Sequence, residues 1–319
     1  MNLGSGRRVG SPASPRSAAG ADRISALPDD LLLLVLARLR CVRTAARASV
    51  LSNRWNGVWT RLPSFVFRDV ALRSLETVLG RVASANAVSL LDIRVPQRDW
   101  SPCGAAPRGT VSSLLSAAAR LSPEQLILAL PWDAAAPHEM VELPRFQRAT
   151  SISLSAYSFV FLHAPAMDEL SALTALILSG CTADALDDLV PRCPLLRVLR
   201  FSGTVALYTG ITLDTITVRS PSLQELALKV ESQTSVRGIM VAAPKLEQLT
   251  VSARVRDDLR VSVLAPMAKN VSWLCRYRSK SMGMGGWALE RVSLVMSPPA
   301  GRQAPVLQMR VFKVCLSPL

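Results

Sequence analysis

The chain has 319 residues, of which 50% are hydrophobic and 5% aromatic, and its 37 Lys and Arg against 23 Asp and Glu give a net charge of +14. This length fits one large domain or two modest ones, with a core built from aliphatic side chains. The longest apolar run, residues 31–37, falls short of the roughly 20 residues that cross a bilayer, so no membrane span is predicted. Six cysteines without a CxxC pair and only two histidines argue against a zinc site, and reduced cysteines of an intracellular protein fit better than a disulfide scaffold.

Positive charge is concentrated near the N-terminus, where residues 1–63 carry ten Arg and three Asp. An acidic partner could use this excess, but the basic residues are not interleaved with aromatic ones, so nucleic-acid binding is not predicted. Residues 1–21 consist mainly of Gly, Ser, Ala, Pro and Arg, which predicts a disordered tail. The same composition is also typical of an organellar transit peptide, an alternative that the next segment argues against.

Residues 22–63 are predicted to form a compact unit of three helices. Pro28 suits the first turn of a helix, and Asp29 and Asp30 lie where the helix dipole favours negative charge. The first helix is apolar on two faces, which carry Leu31, Leu34 and Val35 on one side and Leu32, Leu36 and Leu39 on the other. The unit can cover one of these faces itself, so the other requires a second domain or a second chain.

Two shorter helices are predicted after the first. One lies within residues 42–51, and Ser52 and Asn53 can cap the next. Trp55 and Trp59 are four residues apart on that last helix, so they share a face. Internal packing is the favoured role of the two indole rings.

From about residue 64 the pattern changes to short strands separated by loops rich in Pro and Gly. The predicted strands cover residues 88–95, 124–130, 149–155, 173–178, 196–201, 223–228, 246–251 and 289–294.

The strands share a repeated pattern of the form L-x-x-L-x-L. Clean copies begin at Leu173, Leu196, Leu223 and Leu246, which are 23, 27 and 23 residues apart, and weaker copies begin at Ala149 and Ala268. A proline stands two residues before several copies, as Pro194, Pro221, Pro244 and Pro266. Periods of 20–29 residues with this pattern indicate a leucine-rich-repeat solenoid, in which each strand pairs with the next. The alternative is an ordinary α/β sheet whose leucines fall in register by chance.

The repeats depart from the ideal pattern in three places. The last position, usually Asn or Cys, is Cys181 in one copy but Thr204, Glu231 and Arg254 in others, so less regular turns are expected. The strands near Val88 and Gln125 start 37 residues apart, which is long for one repeat. Residues 306–312 show no polar capping element, so an incomplete solenoid is expected.

The N-terminal unit resembles the plant F-box motif. The resemblance is carried by DRISALPDDLLLLVLARL over residues 22–39 and by ARASVLSNRWNGVW over residues 46–59. With leucine-rich repeats behind it, the chain resembles the plant F-box/leucine-rich-repeat family. One departure is the pair Leu39-Arg40, where the family often has Leu-Pro, a change that would alter the loop to the second helix and weaken adaptor binding. Many family members also have a further C-terminal domain, for which no length remains here.

The resemblance implies an α/β protein with three parts: a tail over residues 1–21, a three-helix F-box over residues 22–63, and an irregular leucine-rich-repeat solenoid with a parallel curved sheet over residues 64–319, clearest at 149–274. It also implies a substrate receptor of a Skp–cullin–F-box (SCF) ubiquitin ligase. Contact with the Skp-type adaptor, and through it with a cullin, would come from Leu27, Pro28, Leu31, Leu32, Val35, Leu36, Val50 and Leu51. Arg38, Arg43, Arg47 and Arg54 could meet an acidic adaptor rim, although a solvated face accounts for them equally well.

No catalytic constellation is recognised, so an enzyme is not predicted and neither is a cofactor or a metal. Neither His138 nor His163 has a nucleophile at a recognised spacing. The carboxylate pairs at 187–188 and 257–258 are adjacent residues, as expected of helix or turn ends. The glycine-rich segment 283–286 lacks the strand–turn–helix context of a phosphate loop.

Three rows of outward-pointing residues are predicted to cross the central strands, because alternate residues of a strand face opposite sides of the sheet. The rows are Ala175, Val198, Glu225 and Gln248; Ile177, Arg200, Ala227 and Thr250; and Ser179, Ser202, Lys229 and Ser252. Such concave faces bind partners in solenoids, and Arg200, Glu225, Lys229 and Thr250 are the predicted contacts to a target protein of unknown identity. A solvated face without a ligand is the alternative.

The expected function is therefore target recognition for a ubiquitin ligase, in the nucleus and cytoplasm and without membrane association. The alternative is a leucine-rich-repeat scaffold that does not engage a ubiquitin ligase. Binding of a Skp-type adaptor would separate the two.

Overall fold

A computed structural model describes residues 27–39, 41–50, 53–68, 70, 72–82, 87–96, 110–131, 139–163, 170–204, 215–230, 236–277 and 292–295. Several predictions lie outside these residues. They concern the tail over residues 1–21, Arg40, Leu51, His138, the glycine-rich segment at 283–286 and the segment at 306–312.

The N-terminal unit contains two α-helices, α1 (Asp29–Arg38) and α2 (Val42–Arg47), and three 3-10 turns at Ala48–Val50, Asn53–Trp55 and Val58–Arg61. The predicted third helix is present as the last two of these 3-10 turns and not as one continuous helix. Gly57, between them, has a φ of 78°, a left-handed conformation that interrupts helical geometry and suits glycine. Pro28 lies at the N-cap, one position before the first helical residue.

The rest of the described chain is mostly strand. In chain order its elements are β1 (Ser64–Arg68), α3 (Leu72–Arg81), β2 (Leu90–Arg94), α4 (Thr110–Arg120), β3 (Gln125–Ala129), β4 (Glu139–Glu142), β5 (Ser151–His163), β6 (Ala175–Thr182), α5 (Asp184–Leu189), β7 (Val198–Thr204), β8 (Thr215–Arg219), β9 (Glu225–Val230), β10 (Val236–Ala242), β11 (Gln248–Leu264), β12 (Asn270–Tyr277) and β13 (Val292–Val295). Every strand pairing among these elements is parallel, so the predicted mixed α/β fold with a parallel sheet is confirmed.

Nine strands form what we call the front sheet, in the order β1-β2-β3-β5-β6-β7-β9-β11-β12. The repeat leucines point into the core: Leu176, Leu199, Leu226 and Leu249 are each at most 1% exposed. The long spacing between the second and third strands does not interrupt the sheet, because Leu90 of β2 pairs directly with Gln125 of β3.

The other side of the solenoid is a back layer that changes from helices to strands. Successive contacts run from α3 to α4, β4, the second half of β5, α5, β8, β10, the second half of β11 and β13. The buried side chains of both layers belong to one hydrophobic cluster. Strands β5 and β11 are long enough to pair with front-sheet neighbours first and with back-layer neighbours afterwards.

Three of the four prolines of the repeat pattern, Pro194, Pro244 and Pro266, lie in a tight turn that leads into the next front strand. The amide nitrogens of Leu196, Leu246 and Ala268 each donate to the carbonyl oxygen three residues earlier at 3.1 Å. Proline is favoured at the second position of such a turn because its fixed φ suits that position. The fourth residue is the first apolar position of the repeat, and all three side chains are buried.

An irregularity at a last repeat position lies between β6 and β7, but in the copy that ends in the usual Cys181, whereas less regular turns were predicted for the copies that end in Thr204, Glu231 and Arg254. The pairing register shifts between Ser179 and Cys181, where Gly180 has a φ of 79°. Cys181 is buried and pairs with Gly203, which has no side chain to obstruct the carbonyl oxygen of Cys181. Glycine is therefore required at position 203.

Candidate functional site

The two apolar faces of α1 have different surroundings. Leu32 and Leu36 are 0% and 1% exposed and belong to the core of the chain itself. They were predicted to contact an adaptor, and this requires correction, because a side chain covered by its own domain offers no surface to a partner. The opposite face is open, since Leu34 is 61% exposed.

We call this open face the α1 patch and define it by the exposed side chains of Leu31, Leu34, Val35 and Leu39. Leu39 was predicted to share the face of Leu32 and Leu36, but it follows the last helical residue and its side chain is exposed. Of the other predicted adaptor contacts, Leu27 is half-buried, Pro28 is exposed, and Val50 is 88% exposed. Exposed aliphatic side chains at this density on one short helix are typical of a binding surface.

Asp29 ties the start of α1 to the turns that follow α2. Its Oδ1 accepts a hydrogen bond from Arg54 Nη2 at 3.2 Å, and its Oδ2 accepts one from Arg61 Nη1 at 3.1 Å. The two guanidinium groups hold the pKa of the Asp29 carboxyl below its ordinary value of 3.8. This contact links the start of the helix that carries the α1 patch to the turns at Asn53–Trp55 and Val58–Arg61.

The aromatic rings of the helical unit are internal. Trp55 and Trp59 are buried with Val58 and Leu62, which confirms internal packing as their role. The turn at Val58–Arg61 contacts α1, and α2 contacts β1, the first strand of the front sheet. The helical unit and the repeats are therefore joined by direct packing.

The outer face of the front sheet carries the three predicted rows. The register confirms each of them: Ala175 pairs with Val198, Ile177 with Arg200, and Ser179 with Ser202, and the pairing continues through β9 and β11. The same register extends the rows in both directions. Complete rows are Ser64, Leu90, Gln125, Ser151, Ala175, Val198, Glu225, Gln248 and Asn270; Val66, Asp92, Ile127, Ser153, Ile177, Arg200, Ala227, Thr250 and Ser272; and Arg68, Arg94, Ala129, Ser155, Ser179, Ser202, Lys229, Ser252 and Leu274.

The four predicted target contacts all lie on this outer face. Arg200 Nε donates to Glu225 Oε1 across neighbouring strands at 2.8 Å, so these two charges largely compensate each other. Lys229 of β9 and Thr250 of β11 are also exposed on this face. The group therefore offers one ion pair, one further cation and one hydroxyl.

A second charged group on the front sheet was missed by sequence reasoning. Asp92 of β2 lies between the inward-facing Leu91 and Ile93, so its side chain points to the outer face, yet it is only 5% exposed. Arg94 Nε donates to Asp92 Oδ1 at 2.9 Å, and Asp92 raises the pKa of the Arg94 guanidinium further above its ordinary value. A charged pair two residues apart in a strand was the available signal, because residues at that spacing share a face.

Other reactive groups have structural surroundings. The Cys193 thiol is buried and donates to the carbonyl oxygen of Leu189 at 3.2 Å, and burial raises its pKa to about 12. Such a thiol is a poor nucleophile at neutral pH. Asp187 and Asp188 lie in the last turn of α5.

Among the side chains that the structure describes, no group of three or more His, Cys, Asp or Glu is arranged to hold a metal ion. No helix in the described ranges is long and apolar enough to cross a membrane.

Comparison with known proteins finds similarity to plant F-box proteins, several of them with leucine-rich repeats. The family model for "FBD-associated F-box protein At5g56370, LRR repeats" matches residues 111–275, just over half of the chain. An FBD-associated F-box protein of Arabidopsis thaliana, At5g56440, is 24% identical over 293 residues, covering 87% of this chain and 65% of its own length.

Two further proteins from Arabidopsis thaliana are similar to this chain in sequence. The F-box/FBD/LRR-repeat protein At4g00315 is 28% identical over 252 residues, covering 72% of this chain and 53% of its own length. The F-box protein At1g67390 is 50% identical over 72 residues, covering 23% of this chain and 15% of its own length. The chain thus spans between about half and two thirds of the length of the first two relatives. No solved structure matches the chain.

Proposed function

Because the chain belongs to the plant F-box/leucine-rich-repeat family, we propose that it is the substrate-recognition subunit of an SCF-type ubiquitin ligase. The helical unit binds a Skp-type adaptor, and through it a cullin, while the repeats bind a target protein. Catalysis belongs to other subunits. This chain acts by raising the local concentration of target lysines near the ubiquitin that is transferred.

The observation that carries the proposal is the α1 patch. Its side chains are large, aliphatic and 39–61% exposed, while the opposite face of the same helix is fully covered. Fully burying an exposed leucine contributes roughly 1.5–3 kcal/mol, and each of these half-exposed side chains would contribute part of that on contact with a partner. Leu27, Pro28 and Val50 would extend it.

The charges around the patch favour an acidic partner. Arg38, in the last turn of α1, follows Leu34 by four residues and therefore shares its side of the helix. Arg43 and Arg47 are exposed on α2. An adaptor with an acidic rim would meet these cations while its apolar centre covers the leucines.

Target recognition is assigned to the outer face of the front sheet. Arg200, Glu225, Lys229 and Thr250 are accessible there and lie on three neighbouring strands. The proposed role of the Arg200–Glu225 pair is to present a fixed hydrogen-bonding group, since each partner restrains the other.

The experiment is capture of a purified plant Skp-type adaptor by the full chain, with Leu34→Arg as the test variant. An arginine in the centre of the interface should weaken capture roughly 30-fold or more, because central interface residues carry 2 kcal/mol or more. Leu195→Arg is the matched control, since Leu195 is 55% exposed in a turn of the repeats. The control should bind as the wild type does.

Two results would contradict the proposal. If neither the wild type nor the control captures the adaptor, the scaffold without a ubiquitin ligase becomes the better description. If both variants lose capture equally, the α1 patch is not the adaptor surface.

We also propose that the protein resides in the nucleus and cytoplasm, where such ligases would meet their targets. A fluorescent fusion of the full chain should fill both compartments in plant cells. Strict import into an organelle with cleavage near residue 21 would refute this location.

A further inference from the structure

Two arginines stand side by side on the outer face at the end of the front sheet nearest the helical unit. Arg68 of β1 pairs in register with Arg94 of β2, and both side chains are exposed. Like charges on directly neighbouring strands repel each other and cost stability. An anion bound between the two guanidinium groups would relieve this repulsion.

Asp92 forms an ion pair with Arg94 but not with Arg68. Its carboxylate is buried, and both of its oxygens lie near Arg94 Nε, at 2.9 Å and 3.3 Å. The Arg94 side chain is nevertheless 52% exposed. Because Asp92 accepts from Nε, the two terminal nitrogens of the guanidinium can donate to another partner, and the buried carboxylate restrains the group.

The surroundings of this group suit a second anion. Asp92 lies between Val66 and Ile127 in its row, and both apolar side chains are half-buried. Beyond Arg94 the next strand presents only the methyl group of Ala129, so the guanidinium is approachable from that side. Two arginines against one aspartate leave a net charge of +1, which one carboxylate would neutralise.

We propose that Arg68 and Arg94 form a binding site for a carboxylate of an acidic segment in the target protein, with Asp92 as a positioning residue for Arg94. The assignment of that segment to the target rests on the proposed function. The site lies in the first two repeats and is distinct from the group at Arg200, Glu225, Lys229 and Thr250, four or more strands away.

The test is fluorescence anisotropy with a labelled hexaglutamate peptide and the full chain, in the absence of any adaptor. Arg68→Gln keeps the Asp92–Arg94 pair intact and should weaken binding about tenfold at 0.15 M salt. Arg260→Gln is the matched control, because Arg260 is an exposed strand residue of the back layer and the change removes the same charge. The control should weaken binding less than twofold. Equal losses in both variants would show general attraction to a basic protein and overturn the proposal.

Asp92→Asn separates positioning from simple charge. It makes the protein more positive, so general electrostatics would tighten peptide binding. The proposal expects weaker binding, because Arg94 loses the group that orients it. Thermal unfolding checks that the variant is folded, and tighter binding by the folded variant would contradict the positioning role.

The chemistry of the occupant is tested with a second peptide that carries phosphoserine in place of one glutamate. Similar affinity, equally sensitive to Arg68→Gln, supports a carboxylate site. Binding that is tenfold tighter and depends on Arg68 would overturn the carboxylate assignment in favour of a phosphorylated segment. Adaptor capture through the α1 patch is measured separately, so a failure here leaves the proposed function standing.

Discussion

The helical unit and the front sheet present opposite kinds of surface. The open face of α1 is aliphatic, with Leu34 61% exposed, whereas the outer rows of the sheet are dominated by small, hydroxyl and ion-paired side chains. Exposed aliphatic side chains favour burial against a partner, whereas polar side chains are well solvated in the absence of one. Under the proposed function, the first surface would hold the adaptor and the second would meet the target.

Truncating one leucine on each face of α1 tests whether one face is covered and the other open. Leu36→Ala should lower the free energy of unfolding by about 2–5 kcal/mol, because it leaves a cavity in the core. Leu34→Ala should change it by less than about 0.5 kcal/mol, because the side chain is exposed, while still weakening adaptor capture. Urea unfolding of the full chain measures both, and equal destabilisation would show that the α1 patch is covered within the chain.

A pair of glycine substitutions compares the sheet with the helices behind it. An added Cβ at Gly203 would overlap the carbonyl oxygen of Cys181 and come within 2.6 Å of Phe201 Cζ, so Gly203→Ala should cost about 1–3 kcal/mol. Gly80 in α3 has nothing within 4 Å of its added Cβ. Gly80→Ala should therefore stabilise the protein by about 0.5–1 kcal/mol. Thermal unfolding of the two variants should move in opposite directions, and a neutral Gly203→Ala would contradict the tight pairing of β6 with β7.

The ion pair on the outer rows should contribute little to stability. A double-mutant cycle with Arg200→Ala and Glu225→Ala is expected to give a coupling energy of about 0.2–1 kcal/mol, because the arginine is largely exposed. The coupling should shrink in 1 M NaCl as the charges are screened. A coupling several times larger would show that this face is shielded from solvent.

The smallest effect is expected from Asp29, whose pKa is lowered by Arg54 and Arg61. A carboxyl with a folded-state pKa below its unfolded value stabilises the fold at neutral pH and loses that contribution as the pH falls through the lowered value. The difference in stability between the wild type and Asp29→Asn should thus be present at pH 7 and vanish well below pH 3.8. Urea midpoints between pH 7 and pH 2 test this, and a difference that persists at pH 2 would mean that charge is not its source.

The outer rows could be predicted from sequence because two periodicities agree. The alternation within each strand decides which face a residue occupies, and the repeat decides which residue stands beside it. Pro194, Pro244 and Pro266 add a third, independent signal by marking where each turn begins. The position of Arg200 next to Ala227 follows from these patterns alone.

Other features depend on packing that the patterns do not contain. The two apolar faces of α1 were recognisable, but only contacts with the turn at Val58–Arg61 decide that Leu32 and Leu36 are the covered ones. Strand β8 alternates polar and apolar residues in TITVR, but it does not carry the L-x-x-L-x-L pattern and was not predicted. The charged group around Asp92 was missed because Arg68 lies on β1, a strand without the leucine pattern. The pairing of Arg68 with Arg94 therefore could not be predicted from the repeat.

The order of strands in the front sheet also has a consequence for folding. Contacts that join neighbouring repeats connect residues at similar separations, for instance 24 between Thr150 and Thr174 and 25 between Arg200 and Glu225. Most added repeats therefore close a loop of similar length at a similar entropic cost. The longer step from β2 to β3 raises that cost only slightly, because the cost grows with the logarithm of loop length. Structure can begin at any well-formed repeat and grow outward. A lesion such as Gly203→Ala would then slow one step of this growth, while β1 and the helical unit packed against it could still assemble.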